Sequence, residues 1–331
     1  MNCSRRDIGK LALAAGCAGA TPAAAAARPN SIFGGVQVGI NIPYGFRGMP
    51  GSADQMLGYL TQLGISAVEL RSQPVEAALG APPAASRGVG EAPGPAGPGA
   101  ASRAPLTPEQ IATQKTEIEA LKQWRLSRSM DEFKAFRKKY EAAGVRIQIV
   151  KFDRIDTSSD DTLNYCFQMA KALGAEAISC EIPVSKTKRL GAFAAKHQLM
   201  VGYHGHGNLT NPEAFGRLGA WEQAFWYSKY NGANVDIGHF FASNNFSPVE
   251  WIKENHSRVT HVHLKDRKAN NGAGMPWGQG DSPLKEILLL MKEQKYKFQA
   301  TIELEYPVPA GSDTLAEITK CVQFCKDVLE R

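Results

Sequence analysis

Residues 259–268 read VTHVHLKDRK, an apolar run that carries His261, His263 and Lys265 two positions apart. In an extended strand, residues two apart share a face. Two imidazoles and an ammonium group therefore look the same way. Ligand-type side chains end other apolar runs too: Glu69, Lys151, Glu181, then His204 and His206. Asp236 follows, with His239 three residues on, and the last run ends in Glu303 and Glu305. Five of the seven histidines belong to this set. Buried carboxylates and imidazoles are costly unless paired or bound to a cation. A ring of Glu, Asp, His and Glu converging from separate strands answers that cost by holding a divalent metal. Its oxygen-rich character suits Mn, Mg or Co, and Zn less well. The nominated ligands are Glu181, Asp236, His263 and Glu305, with Glu303 as the alternative to Glu305 because "ELE" offers two glutamates. A lone strand-end carboxylate is more often a helix cap or an ion-pair partner; five consecutive runs ending this way argue for a site. Glu181, Glu305, His239 and Lys265 are the candidates for catalysis. His204, His206, His261, Lys151 and Glu69 are the candidates for substrate contacts.

Such convergence needs strands that end at one face. Eight apolar runs rich in β-branched residues recur, at 36–42, 65–71, 145–152, 175–182, 199–206, 233–239, 259–265 and 299–306. Helix-period segments separate them, as in SADQMLGYLTQLG, which starts at Ser52 and stops at Gly64. SMDEFKAFRKKYEAAG stops at Gly144 and DTLNYCFQMAKALG at Gly174. Eight strand–helix units predict an α/β fold, a single closed (β/α)8 TIM barrel over residues 28–331, whose chemistry lies at the C-terminal ends of the strands. No GxGxxG follows the first run, which weakens a dinucleotide-binding alternative. One stretch breaks the rhythm. Residues 78–106, after the second strand, are rich in Pro, Gly and Ala and read as a disordered, flexible loop insertion, either a lid or an inert linker.

The remaining bounds are mild. The chain has 331 residues, a formal charge of +6 and no basic stripe interleaved with aromatics, so no nucleic-acid partner is expected. Six cysteines show neither a CxxC nor paired zinc spacing. Residues 1–27 carry Arg5 and Arg6, a short apolar stretch and an alanine run, and read as a twin-arginine-type signal peptide. That stretch is too short for a membrane span. An exported, periplasmic protein is expected, with lipid attachment at Cys17 of "AAGC" as the alternative.

"CEIP", "YHGH", "DIGH", "HVHLKD" and "IELEYP", in this order, resemble the sugar phosphate isomerase/epimerase superfamily, the xylose isomerase-like barrel group. The resemblance runs over roughly residues 35–329. It implies a metal held after strands four, six, seven and eight, by Glu181, Asp236, His263 and Glu305. It gives His239 a substrate contact. The abasic-site endonucleases of the same superfamily use more histidines and a basic groove, and this chain lacks the charge for one. The resemblance implies proton abstraction beside a carbonyl and an ene-diolate. The substrate expected is a free sugar, keto-sugar or cyclitol, since phosphorylated sugars are scarce outside the cytoplasm. Three readings stay open: an isomerase or epimerase, a lyase or hydratase of 3-keto-glycosides or inososes, and a non-catalytic sugar-binding protein. Both a monomer and an oligomer fit the sequence.

Overall fold

A computed structural model describes residues 28–93 and 104–331. The signal-peptide expectation, with Arg5, Arg6 and Cys17, and the middle of the insertion lie outside the described residues. Eight parallel strands follow the eight apolar runs: β1 Val36–Ile42, β2 Ala67–Arg71, β3 Arg146–Lys151, β4 Ala177–Cys180, β5 Met200–His204, β6 Asn231–Asp236, β7 Val259–Leu264 and β8 Gln299–Ile302. Each pairs with the next. β8 returns to β1 through Ala300 beside Val38 and Ile302 beside Ile40, which closes the barrel. A two-residue strand, Ile32–Phe33, adds antiparallel to β1.

Local signals fix the helices. Ser52 caps Ala53–Leu63 in a reciprocal box with Gln55, and Gly64 ends it in the left-handed region at φ 69°. Ser129 and Glu132 form the same box before Met130–Ala142. Outward strand side chains such as Ile40, Val68, Val150, Ile178 and Val262 pack beneath the helices, fully buried. The barrel interior is different. Asn41, Glu69, Ser179, Asn234, His261, His263 and Thr301 are all buried, which leaves a polar stack inside an apolar wall.

The insertion is not the wholly disordered segment expected from its composition. Residues 83–87 form a 3-10 turn, and Ala84 and Ala85 bury against Leu121 of the helix Pro108–Leu126. The Val89 amide donates to the Asp153 carbonyl at 3.0 Å, and Ser158 Oγ donates to the Val89 carbonyl at 2.8 Å. Glu91 accepts from Ser159 and Thr162. Small residues here bury through long-range contacts, which composition does not record. Among the described residues, no helix is long and apolar enough to cross a membrane.

Candidate functional site

The polar stack opens at the C-terminal end of the barrel. Asp236 ends β6 and caps the helix Ile237–Asn244, with its Oδ1 accepting from the His239 amide at 2.8 Å. The same carboxylate is thus both helix cap and site residue, because its Oδ2 faces inward. His204 Nε2 lies 3.1 Å from that Oδ2, and Lys265 Nζ lies 2.8 Å from it. Gly238 is required here, since a Cβ would stand 2.3 Å from Lys265 Cγ and 2.5 Å from the Lys265 carbonyl oxygen.

His263 lies below Asp236, toward the barrel interior. Its Nε2 makes a very short contact with Glu69, and its Nδ1 lies 2.7 Å from Glu303 Oε2. Burial alone would push the imidazole down, but Glu69 and Glu303 outweigh it and hold it at about 9. Glu69, fully buried, would itself be raised by burial, yet His263 and His261 keep it well below the ordinary carboxylate range. A carboxylate that grips one imidazole nitrogen and leaves the other facing a cluster is the arrangement that orients metal-ligating histidines.

His204, Asp236, His263 and Glu303 are all buried, and one ligand atom from each lies within 4.8 Å of the others. His263 Nδ1 and Glu303 Oε2 are close, yet neither has a properly directed hydrogen-bond partner. Nitrogen and carboxylate donors brought this close, with the His263 proton and the Lys265 ammonium between them, fit ligands aimed at a common cation. The charge agrees. Glu69, Glu181, Asp236, Glu303 and Glu305 outnumber the cations that contact them, Lys151, Lys265 and a protonated His263. The residues therefore fit a divalent metal with two nitrogen and two oxygen donors.

The four ligands nominated from sequence are not brought together as a set. Asp236 and His263 meet Glu303 rather than Glu305. The ladder explains why. Thr301 pairs with His263 and Ile302 with Leu264, and the Glu303 amide still bonds the Leu264 carbonyl at 3.0 Å. Glu305 lies a full alternation further out. It accepts from Tyr44 Oη at 3.2 Å and Lys265 Nζ at 2.5 Å, and lies 3.3 Å from His239 Nε2. Burial would raise Glu305, but His239 and Lys265 hold it at about 2. Glu181 sits at the mouth, half-exposed, beside the cluster rather than inside it. Its Oε1 accepts from Lys151 at 2.6 Å and lies 3.1 Å from His204 Nδ1. His204 thus touches Glu181 with one nitrogen and Asp236 with the other.

The candidate substrate contacts divide as well. His206 is at the mouth, 3.9 Å from Glu181 Oε2 and edge-on to His239. Glu69 and His261 are completely buried beneath the cluster, where with His263 they form a second group of converging ligand atoms. Lys151 is buried behind Glu181. Sequence reasoning missed Tyr44, in the turn after β1, and Arg267, whose Nη1 lies 3.4 Å from His239 Nδ1. It also missed Asp266, whose carboxylate accepts from the amides of Gly278, Gly280 and Ser282 and pins the loop after β7. The signal for Tyr44 was its place just past the first strand end.

Beside the cluster lies a cleft of about 1050 Å³. It runs from Tyr44 and Arg71 to the ordered part of the insertion.

The fold and the site together define a class. The chain matches the xylose isomerase-like TIM barrel family over residues 131–324 and belongs to that family. Three solved structures are similar. The probable 3-DHS dehydratase AsbF of Bacillus anthracis is 12% identical, with 87% of this chain and 99% of that chain covered and a TM-score of 0.56. A sugar phosphate isomerase/epimerase of Parabacteroides distasonis is 16% identical, with 89% and 96% covered and a TM-score of 0.53. The IolI protein with a bound zinc atom is 12% identical, with 89% and 98% covered and a TM-score of 0.57. At these identities the likeness is one of fold. No curated protein matches the chain in sequence.

Proposed function

We propose that the protein is a divalent-metal-dependent enzyme that moves a proton next to the carbonyl of a sugar or keto-sugar, as an isomerase or epimerase. The observation that carries this reading is the convergence of one ligand atom each from the buried His204, Asp236, His263 and Glu303, in a site with surplus negative charge. The sugar phosphate isomerase/epimerase and the zinc-bound IolI among the similar folds support it. His204, Asp236, His263 and Glu303 would hold the cation, with Glu181 beside His204 at the mouth. When bound, the cation would supply Lewis-acid polarisation of a carbonyl.

The chain's own groups do the rest. Partial burial would raise the Glu181 carboxyl, but Lys151 and His204 keep it well below the ordinary range, so it stands ionised at the mouth. Its Oε1 is engaged by Lys151 and His204, which leaves Oε2 to take a proton. Glu305, from another strand, stands with Tyr44, His239 and Lys265, a group able to return a proton from a second side. Glu69 fixes the His263 ring through Nε2.

Incubation of purified protein with manganese and a panel of free sugars, keto-sugars and cyclitols in deuterium oxide tests this. Solvent deuterium at one carbon of an otherwise intact skeleton supports the isomerase. An unsaturated product absorbing in the ultraviolet assigns a lyase, in line with the dehydratase among the similar folds. Saturable binding without exchange leaves a sugar-binding protein. The proposed location is outside the cytoplasm, on the strength of Arg5, Arg6 and the alanine run that follows. Cell fractionation with N-terminal sequencing checks it, and full-length protein in the cytosol would sink it.

A further inference from the structure

The cleft beside the site is large and mostly apolar, which a free sugar does not require. Its volume, about 1050 Å³, lies at the top of the roughly 300–1,000 Å³ range of pockets that bury drug-sized ligands. One wall comes from the segment after β1, with Pro43, Phe46 and Met49. The helix Ser72–Ala78 adds Pro74 and Ala77. The insertion supplies the opposite wall, with Ala81, Pro82, Pro83 and Ala85.

The charged groups deepest in the cleft are committed to one another, and Gln73 Oε1 is the buried side-chain acceptor there left without a partner. Arg71 Nη1 donates to both oxygens of Asp153, at 2.7 and 2.5 Å, and Gln73 Nε2 donates to Asp153 Oδ2 at 2.6 Å. The Arg47 guanidinium lies over the Tyr44 ring, 4.2 Å from its centroid. A polyol placed in this cleft would lose water from its hydroxyls and find few free partners, an unfavourable exchange. An apolar group would gain by burial.

The cleft also ends at the site. Tyr44 lines it and donates to Glu305. Arg71 lines it and is held charged by Asp153 and, more distantly, by Glu181. A single ligand that reaches both regions needs a hydroxylated end and an apolar end.

We infer that the substrate is a glycoside of a keto-bearing sugar, whose apolar aglycone occupies the cleft between the β1 turn and the insertion while its keto ring faces the carboxylate–histidine cluster. The inference rests on the sugar-processing reading and names its substrate class. It also gives the ordered half of the insertion a role, as a fixed specificity wall.

The test is calorimetric binding to the full mature protein with manganese present. The probes are phenyl and methyl β-glycosides of glucose, galactose and xylose, their 3-keto forms, and the free sugars. The phenyl glycoside of the preferred sugar is expected to bind roughly ten- to a hundredfold more tightly than its methyl counterpart. Ala77 and Ser86 line the cleft with exposed side chains, so bulk can be added there without disturbing the core. A77W and S86W, made separately, are each expected to lose that phenyl-over-methyl preference. Equal affinity for phenyl and methyl forms in the unaltered protein overturns the aglycone subsite and leaves the sugar reading intact. A preference that survives in both folded variants also overturns it, because the aglycone then lies elsewhere. If no sugar binds in any form, the sugar reading itself falls and takes this inference with it.

Discussion

At the scale of single residues, two glutamates near one another are set for different work. Glu303 is buried and aimed at His263, whereas Glu181 is half-exposed and held at the mouth by Lys151 and His204. E303Q should therefore lose most bound metal, read by elemental analysis after dialysis. E181Q should abolish turnover far more than it lowers the melting temperature, and near-normal activity in that variant would refute the role of Glu181. Lys265 occupies a third position. Its ammonium lies 2.8 Å from Asp236 Oδ2 and 2.9 Å from Glu303 Oε2, the same oxygens that face the cluster. It competes with a cation for them. K265M should bind manganese more tightly than the unaltered protein. Its metal-free form should be destabilised by about 3–5 kcal/mol, the usual cost of removing one partner from a buried ion pair. Weaker manganese binding in K265M, measured by titration calorimetry, would show that Lys265 organises the carboxylates rather than screening them. The choice between Glu303 and Glu305 was not legible in the sequence. Strand alternation puts both on one face, and only the β7–β8 register decides which is level with His263.

At the scale of elements, the strands and helices were legible because their signals are local. β-branched runs, Ser caps and glycine stops such as Gly64 and Gly144 each act within a turn. The insertion was not legible, because what orders it is far away in sequence. Arg125, on the helix Pro108–Leu126, donates Nε and Nη2 to the two oxygens of Glu76 at 2.7 and 2.9 Å, and Nη2 to the Gly88 carbonyl at 3.0 Å. Tyr165 Oη donates to Glu76 Oε1 at 2.9 Å. Arg125 and Glu76 are almost wholly buried, so this clamp ties the insertion to helices on both sides of it. Glu76 and Arg125 are 49 residues apart, and neither is marked by motif or periodicity. R125M should leave Glu76 buried without its counter-charge, held by the Tyr165 hydroxyl alone, cost about 3–5 kcal/mol and lower the melting temperature by several degrees. Limited proteolysis should then cut first near Gly88, where the insertion loses its tie. A clamp that merely accompanies folding would shift the melting temperature without making that segment the first site of cleavage.

At the scale of the whole molecule, the barrel carries a charged stack along its axis, and the stability of the metal-free protein should record it. Glu69, Glu181, Asp236 and Glu303 are held well below their ordinary values, and Glu305 is at about 2. Each contributes stability that is present above its unfolded value, about 4.3 for the glutamates and about 3.9 for Asp236, and is lost as pH falls from there through its folded value. His261, completely buried, is pushed down to about 4 by that burial. Its contribution is present above an unfolded value near 6.5 and is lost as pH falls through 4. His263 has the opposite sign. Held at about 9 against Glu69 and Glu303, it stabilises the fold fully below 6.5, and that contribution disappears as pH rises through 9. The metal-free protein should therefore melt highest near pH 6.5, fall steeply on the acid side and fall by up to about 3 kcal/mol on the basic side. A bound divalent cation takes the place of the His263 proton, so manganese should raise the melting temperature most at pH 8–9 and least near pH 6. Thermal melts across pH 3–10, in chelator and in manganese, measure both curves. A metal-free melting temperature that holds level or climbs from pH 6.5 to 9 would mean that His263 does not carry a proton between the two glutamates, and the cluster would lose its claim to be a cation site.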